Sequence, residues 1–238
     1  MSTSTDDKQD TILVIGGNGY IGSRMCEQAI LSGYKVVSVS RSGTRPNWLA
    51  TSQWAQQVQY VKGDALQPET MQAYFGEKSV RAVISCVGCF HYSQSVMRSI
   101  CGDTNINACK LAKENSIPRF VFVSAWRPSL VFSGGSWNPL SWIVVPGYFE
   151  GKKRSEEAVE ELYGDHGVSL RAGMVSGQRY ISENTAIPLN RVSWIASWFT
   201  PVIDVDELAK AAVRFIKSDK PNIEKHIVEN GDIANFYV

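Results

Sequence analysis

The 238-residue sequence has no apolar run near the roughly 18 residues that a membrane-crossing helix needs. Its longest candidate, Trp142 to Val145, is cut by Pro146 and Gly147. It has no excess charge of one sign either. Lys and Arg total 24 against 23 Asp and Glu, and no basic stripe stands out, which argues against a nucleic-acid partner. Histidine is scarce: His91, His166 and His226 are scattered, without H-x-x-x-H spacing or an adjoining acidic cluster, so no metal centre is expected. Five cysteines are an odd count, which points to reduced thiols rather than a disulfide framework. Cys86-x-x-Cys89 has redox spacing, but it closes a strand instead of opening a helix, and reads as two small buried side chains. The first ten residues, MSTSTDDKQD, lack the apolar stretch of a signal peptide and the Arg-rich, acid-poor character of a transit peptide; they read as a disordered arm.

What is present is an alternation. Near-continuous apolar runs at Thr11–Ile15, Lys35–Ser40, Val58–Lys62, Ala82–Cys86, Phe120–Ser124 and Ser169–Arg171 predict parallel strands covered on both faces. Helical patterns lie between them at Ile21–Leu31, Pro68–Phe75, Ser95–Glu114 and Gly151–Tyr163. The expected fold is therefore α/β: a doubly wound parallel sheet of the Rossmann type over residues 11–238, with residues 178–200 in a small substrate or partner lobe.

The segment ILVIGGNGYIG passes from the first strand into the first helix. Its glycines fit either Gly17-x-Gly19-x-x-Gly22 or Gly16-x-x-Gly19-x-x-Gly22. Glycine is needed there because a side chain would keep a pyrophosphate from the backbone amides, while the helix N-terminus adds a positive dipole. Gly16, Gly17, Asn18, Gly19, Tyr20, Ile21 and Gly22 are thus candidate dinucleotide contacts. An NAD-selective site would carry an acid at the end of the second strand. Here that strand ends Val39-Ser40-Arg41-Ser42, and Arg41 suits a 2′-phosphate, so NADP is expected ahead of NAD. Asp64 in VKGD is placed either to reach the adenine or to cap the next turn.

Tyr148 and Lys152 lie four residues apart and share a helix face. An ammonium beside a phenol favours the phenolate, so Lys152 is expected to lower the Tyr148 pKa toward working pH. Ser124, at the end of the fifth strand, is placed to polarise a carbonyl. Trp126, Trp137, Trp142, Trp194 and Trp198 fall in two irregular stretches at the carboxyl edge of the sheet. They read either as an apolar cleft for a quinone, isoprenoid or lipid-like substrate, or as core filling or a partner interface.

The motifs GGNGYIG, VKGD, DTNINACKLAKENSIP with RFVFVSA, GYFEGKKRSEE, LRAGMVSG and TPVIDVDELAKAAV stand in the order found in atypical, extended-type short-chain dehydrogenase/reductases. The chain resembles that family over about residues 11 to 215, and SGYKVVSVSRSG and AVISCVGCF are most like its mitochondrial branch. That branch includes accessory proteins of ubiquinone biosynthesis and of respiratory complex I. The resemblance implies a catalytic trio of Ser124, Tyr148 and Lys152. It also implies cofactor contacts at Gly16, Gly19, Gly22, Arg41, Asp64 and Gly88, and a helix asparagine at Asn107 or Asn105. One departure is Arg171-Ala172-Gly173, where the family has Arg-Pro-Gly.

Two functions follow as expectations. One is NADPH-dependent reduction of a carbonyl or quinone-like substrate linked to ubiquinone metabolism. The other is a non-catalytic NADP(H)-binding subunit of a mitochondrial complex. The resemblance implies a mitochondrial setting, with the cytoplasm as the alternative and peripheral membrane association compatible with either.

Overall fold

The computed structural model describes residues 9–127, 145–182, 185–189, 200–218 and 226–235. Most of the N-terminal stretch read as an arm, and Trp137, Trp142, Trp194 and Trp198, lie outside these ranges. β1 (Thr11–Ile15), β2 (Lys35–Ser40) and β3 (Val58–Lys62) have their expected bounds. β4 (Val80–Ser85), β5 (Arg119–Ala125) and β6 (Gly167–Ala172) differ by one or two residues at their ends. A further strand, β11 (Ile227–Glu229), completes a seven-stranded parallel sheet in the order β11-β6-β5-β4-β1-β2-β3. This is the expected doubly wound sheet. Its order reverses between β1 and β4, where crevices open at the carboxyl edge.

The inner strands bury both faces, while β3 at one edge leaves Gln59 and Lys62 exposed. Ile12 and Val14 of β1 point into one core, with Met25 and Ala29 of α1 (Tyr20–Leu31). Leu13 and Ile15 point into the other, with Ala108 and Cys109 of α2 (Thr104–Glu114) and Val159 of α3 (Pro146–Tyr163). α4 (Val205–Lys217) joins α1 on the first face through Leu208, Ala212 and Phe215. Asp204 caps α4 by accepting the Asp206 amide at 2.8 Å. Two small sheets lie beside the main one: parallel β7 (Met174–Ser176) with β10 (Val202–Asp204), and a hairpin of β8 (Gln178–Ser182) and β9 (Thr185–Pro188). These short pairings were not legible in the sequence.

The expected single helix over Ser95–Glu114 is three pieces: α-helical Gln94–Arg98, a π-helical turn at Ser99–Asp103, and α2. The cause is a glycine contact. A Cβ on Gly151 would lie 2.9 Å from the Gly102 nitrogen and 3.0 Å from the Arg98 oxygen, so α3 packs directly on the turn's backbone. The Cys101 carbonyl accepts from Asn105 Nδ2 at 2.9 Å and from the Ser155 hydroxyl at 3.1 Å, which satisfies an acceptor that regular helix would have used. The helix expected at Gly151 begins earlier, at Pro146. Proline is favoured at a first helical position because it has no amide to leave unpaired.

At the head of α1, a Cβ on Gly22 would sit 2.1 Å from the Gly16 carbonyl oxygen. Gly22→Ala is therefore expected to destabilise the fold by about 1–3 kcal/mol, as overpacking does. A thermal melt of the variant beside the parent checks this, and an unchanged melting temperature contradicts the tight packing.

Candidate cofactor and active site

The loop between β1 and α1 builds the floor of a cavity of about 660 Å³. Gly16 adopts φ +81°, a left-handed conformation that favours glycine, and its amide donates to the Val39 carbonyl at 2.9 Å. Gly19 ends the loop, so the amides of Tyr20, Ile21 and Gly22 form the first helical turn and have no intrahelical acceptors. Gly16, Asn18, Gly19, Arg41, Asp64 and Gly88, all expected as cofactor contacts, line this cavity together. Gly17 and Gly22 stand behind it. A Cβ on Gly17 would meet the Ser38 hydroxyl at 2.5 Å, so that glycine serves packing. The side chains of Tyr20 and Ile21 turn away and line a second cavity.

Around the far end of β2, Ser40, Arg41 and Ser42 face the cavity, and Asn18 Nδ2 donates to the Ser42 hydroxyl at 3.0 Å. Asp64 caps the turn, its Oδ1 accepting the Leu66 amide at 3.0 Å, and it also lines the cavity. The cavity is long, glycine-floored and open to backbone donors at one end, which fits a dinucleotide.

Lys152 sits at the inner end. It is buried, and its Nζ donates to the Val123 carbonyl at 2.7 Å and the Val87 carbonyl at 3.1 Å, 4.6 Å from the Phe122 ring centre. Burial pushes its ammonium pKa down, and nearby Cys101, Cys86 and Glu156 act the other way. Of the two candidate helix asparagines, Asn105 is the one at this end. Its Nδ2 donates to Val87 O at 3.2 Å, and its Oδ1 accepts from Ser85 at 2.6 Å. Asn107 instead clamps Ala65 O at 2.8 Å.

The second cavity, about 600 Å³, opens at the carboxyl ends of β5 and β6. Phe90, Trp126, Tyr148, Phe149, Met174 and Leu189 give it an apolar wall, and among its described lining residues Arg179 carries the one full charge. Tyr148 stacks on Phe90 with ring centres 4.5 Å apart. The expectation of a lowered Tyr148 pKa is corrected here. Burial pushes the phenol up, Cys101 and Cys89 add to that, and the ammonium that was to oppose it is engaged by two carbonyls. Consecutive residues line the two cavities, Cys89 the first and Phe90 the second. The Tyr20 hydroxyl, at the wall of the second, is buried without a hydrogen-bond partner among the described residues, and burial first of all raises its pKa to about 12.

Ser124 is the second correction. Its hydroxyl donates to Glu156 Oε1 and lines neither cavity. It belongs to a buried ion network: Glu156 also receives Arg171 through Nε at 2.9 Å and Nη2 at 2.8 Å, together with Arg127, and Arg171 reaches Glu229 at 2.7 Å. A buried carboxylate must be paired, and the nearest hydroxyl is drawn in with it. Sequence reasoning missed this network because Glu156 stands in KKRSEE, a charge-dense run with the composition of a solvated helix face. It also missed Asn105 as the β4 anchor and the lining role of Ser40 and Ser42.

Residues 12–132 match the NAD dependent epimerase/dehydratase family. An uncharacterized chloroplastic protein of Arabidopsis thaliana is 32% identical over 90% of this chain and 74% of its own length. This chain belongs to that family. The short-chain dehydrogenase/reductase resemblance read from the motifs agrees with it, and the family comprises NAD(P)-dependent oxidoreductases and epimerases. MIOREX complex component 2 of Saccharomyces cerevisiae is 49% identical over a shorter stretch, 25% of this chain and 22% of that protein. Among solved structures, vestitone reductase from alfalfa has the same fold, with a TM-score of 0.68 at 15% identity over 90% of this chain and 74% of that one. Among the described residues no cluster of His, Cys, Asp and Glu could hold a metal ion, and no helix is long and apolar enough to cross a membrane.

Two substitutions separate packing from binding. A Cβ on Gly19 meets only the Gly16 oxygen, at 3.2 Å, so Gly19→Val is expected to keep the fold and lose nucleotide binding, read by nucleotide fluorescence beside a melt. Glu156→Ala leaves Arg171 and Arg127 without their buried carboxylate and is expected to cost about 3–5 kcal/mol. Denaturant titration measures it, and a loss below about 1 kcal/mol would mean that the arginines find other partners.

Proposed function

We propose that this protein is an NADP(H)-dependent reductase of an apolar carbonyl compound, with quinones and isoprenoid-like ketones the favoured class. The observation that carries the reading is the second cavity. It is apolar, consecutive residues Cys89 and Phe90 line the glycine-floored cavity and this one in turn, and of its two phenols, Tyr20 and Tyr148, that of Tyr148 stacks on Phe90. Bound in the first cavity, reduced nicotinamide supplies hydride. The chain does the rest. Its loop amides and Asn18 hold the pyrophosphate, and Arg41 with Ser40 and Ser42 receives a 2′-phosphate. Phe90, Trp126 and Met174 exclude water from the acceptor.

Tyr148 keeps its proton at neutral pH because burial disfavours the phenolate. That state suits donation to a carbonyl oxygen that gains charge, so reduction is the favoured direction. Lys152 positions the Val87–Cys89 segment through the Val87 carbonyl rather than tuning the phenol. We place the protein in an organelle, the mitochondrion by its motif resemblance, with the plant relative's chloroplastic name in support.

A second reading is favoured by one observation: Ser124, the third member of the family's trio, is held by Glu156 away from both cavities. In it the protein binds NADP(H) as a component of a larger protein complex, as the name of the yeast relative suggests for that protein.

Turnover with a panel of quinones and apolar ketones under NADPH separates the readings. Tyr148→Phe is expected to lose about 10²- to 10⁴-fold in turnover with NADPH affinity unchanged. A fully active Tyr148→Phe variant defeats the proton-donor role, and no turnover on any acceptor, with retained NADPH binding, favours the complex component. Arg41→Ala is expected to weaken NADPH by about 10- to 100-fold, the worth of one charged hydrogen bond, and to leave NADH unaffected. Equal losses for both nucleotides would remove the preference for NADP.

A further inference from the structure

Cys89 was paired by spacing with Cys86; the fold pairs it with Cys101. The Sγ of Cys101, buried in the π-helical turn, lies 3.4 Å from the Cys89 amide nitrogen and 3.4 Å from the Cys89 carbonyl oxygen, accepting from one and donating to the other. A sulfur set over a residue's own peptide groups is within reach of that residue's side chain by rotation about χ1. The partners differ in access. Cys101 is wholly buried, while Cys89 is half-buried and lines the cofactor cavity. Cys86, by contrast, neighbours Cys26 in the core.

We propose that Cys89 and Cys101 are a disulfide-forming site whose oxidation weakens cofactor binding. The oxidant is a hydroperoxide arriving through the cofactor cavity. Thiolate Cys89 attacks the peroxide oxygen, the O–O bond breaks, and Cys89 becomes a sulfenic acid with release of water or alcohol. The Cys101 sulfur then attacks the Cys89 sulfur and expels water. The two sulfurs lose two electrons, the peroxide gains them, and both thiol protons leave in the products. Burial and Cys101 hold the Cys89 thiol above its ordinary range, so the reaction is slow unless peroxide is abundant.

The consequence follows from the neighbours. Val87, Gly88 and Cys89 are one segment of the cavity wall. The Val87 carbonyl holds both Lys152 and Asn105. A Cβ on Gly88 would lie 3.3 Å from Lys152 Nζ, so the segment has no slack on that side. Drawing Cys89 onto the π-turn shifts the wall that a nicotinamide would face. By reciprocity, bound cofactor disfavours the disulfide to the same extent, and by filling the cavity that Cys89 lines it would cover the thiol and slow the peroxide's attack.

The test uses the full chain, reduced and then exposed to hydrogen peroxide with and without NADPH. It is then alkylated and digested without reductant for peptide mapping. The expected result is a Cys89–Cys101 linked peptide, formed more slowly with NADPH present. The dissociation constant for NADPH should rise about tenfold, or about 1.4 kcal/mol, and return to its starting value with dithiothreitol. Cys101→Ser, and independently Cys101→Ala should the serine fail to fold, is expected to abolish the response relative to its own reduced state, while Cys109→Ser keeps it. A map with Cys86–Cys89 or only intermolecular links overturns the assignment, and so does a Cys89–Cys101 link that leaves NADPH affinity unchanged. The map needs no turnover, so its failure is distinct from a failure of the reductase reading.

Discussion

The buried Lys152 ammonium is the interaction on which the site depends. It comes from α3, yet it is satisfied by the carbonyl ends of two strands, Val87 beyond β4 and Val123 within β5. An ammonium removed from water requires such acceptors, and the pairing fixes where α3 can lie. It fixes the wall of the cofactor cavity too, because the same Val87 carbonyl accepts Asn105 from α2. Three elements far apart in sequence are thereby set to one another beside the wall of the glycine-floored cavity. The glycine contact between Gly102 and Gly151 is the steric half of the same arrangement, since only bare backbone lets α3 come that close.

The strands were legible because parallel strands buried on both faces leave continuous β-branched runs, and β1, β2 and β3 could be placed to the residue. The phosphate loop was legible for a related reason: strand, glycines and helix must follow one another within a few residues. What the sequence hid were features set by tertiary contact. The π-turn arises from α3 pressing on Gly102, and helix periodicity in residues 95–114 carries no sign of it. The role of Ser124 depends on a glutamate 32 residues away that becomes buried only when β5, α3 and β6 assemble. The Tyr148–Lys152 spacing placed both on one helical face but said nothing of which acceptors the ammonium would find first. Cysteine spacing misled in the same way, for Cys89 and Cys101 are twelve residues apart and meet through a turn of unusual geometry.

The ion network around Glu156 bears on why this fold hosts both enzymes and complex components. A serine at the end of β5 is available for chemistry only if nothing buried nearby claims its proton. Here Glu156, with Arg171 and Arg127, claims it. The dinucleotide cavity is untouched by that exchange, since none of the four residues lines it. The lining of the cofactor cavity and the ion network around Ser124 are thus separate sets of side chains, and one can be altered while the other stays.

The central sheet keeps its two hydrophobic cores apart, and this gives the cofactor cavity a mechanical character. The pyrophosphate loop belongs to the α1 and α4 layer, whereas Ile100, Thr104 and Lys152 belong to the α2 and α3 layer. A dinucleotide lying across the carboxyl edge therefore touches both layers at once. Seated there, it would tie together two layers that the sheet keeps apart.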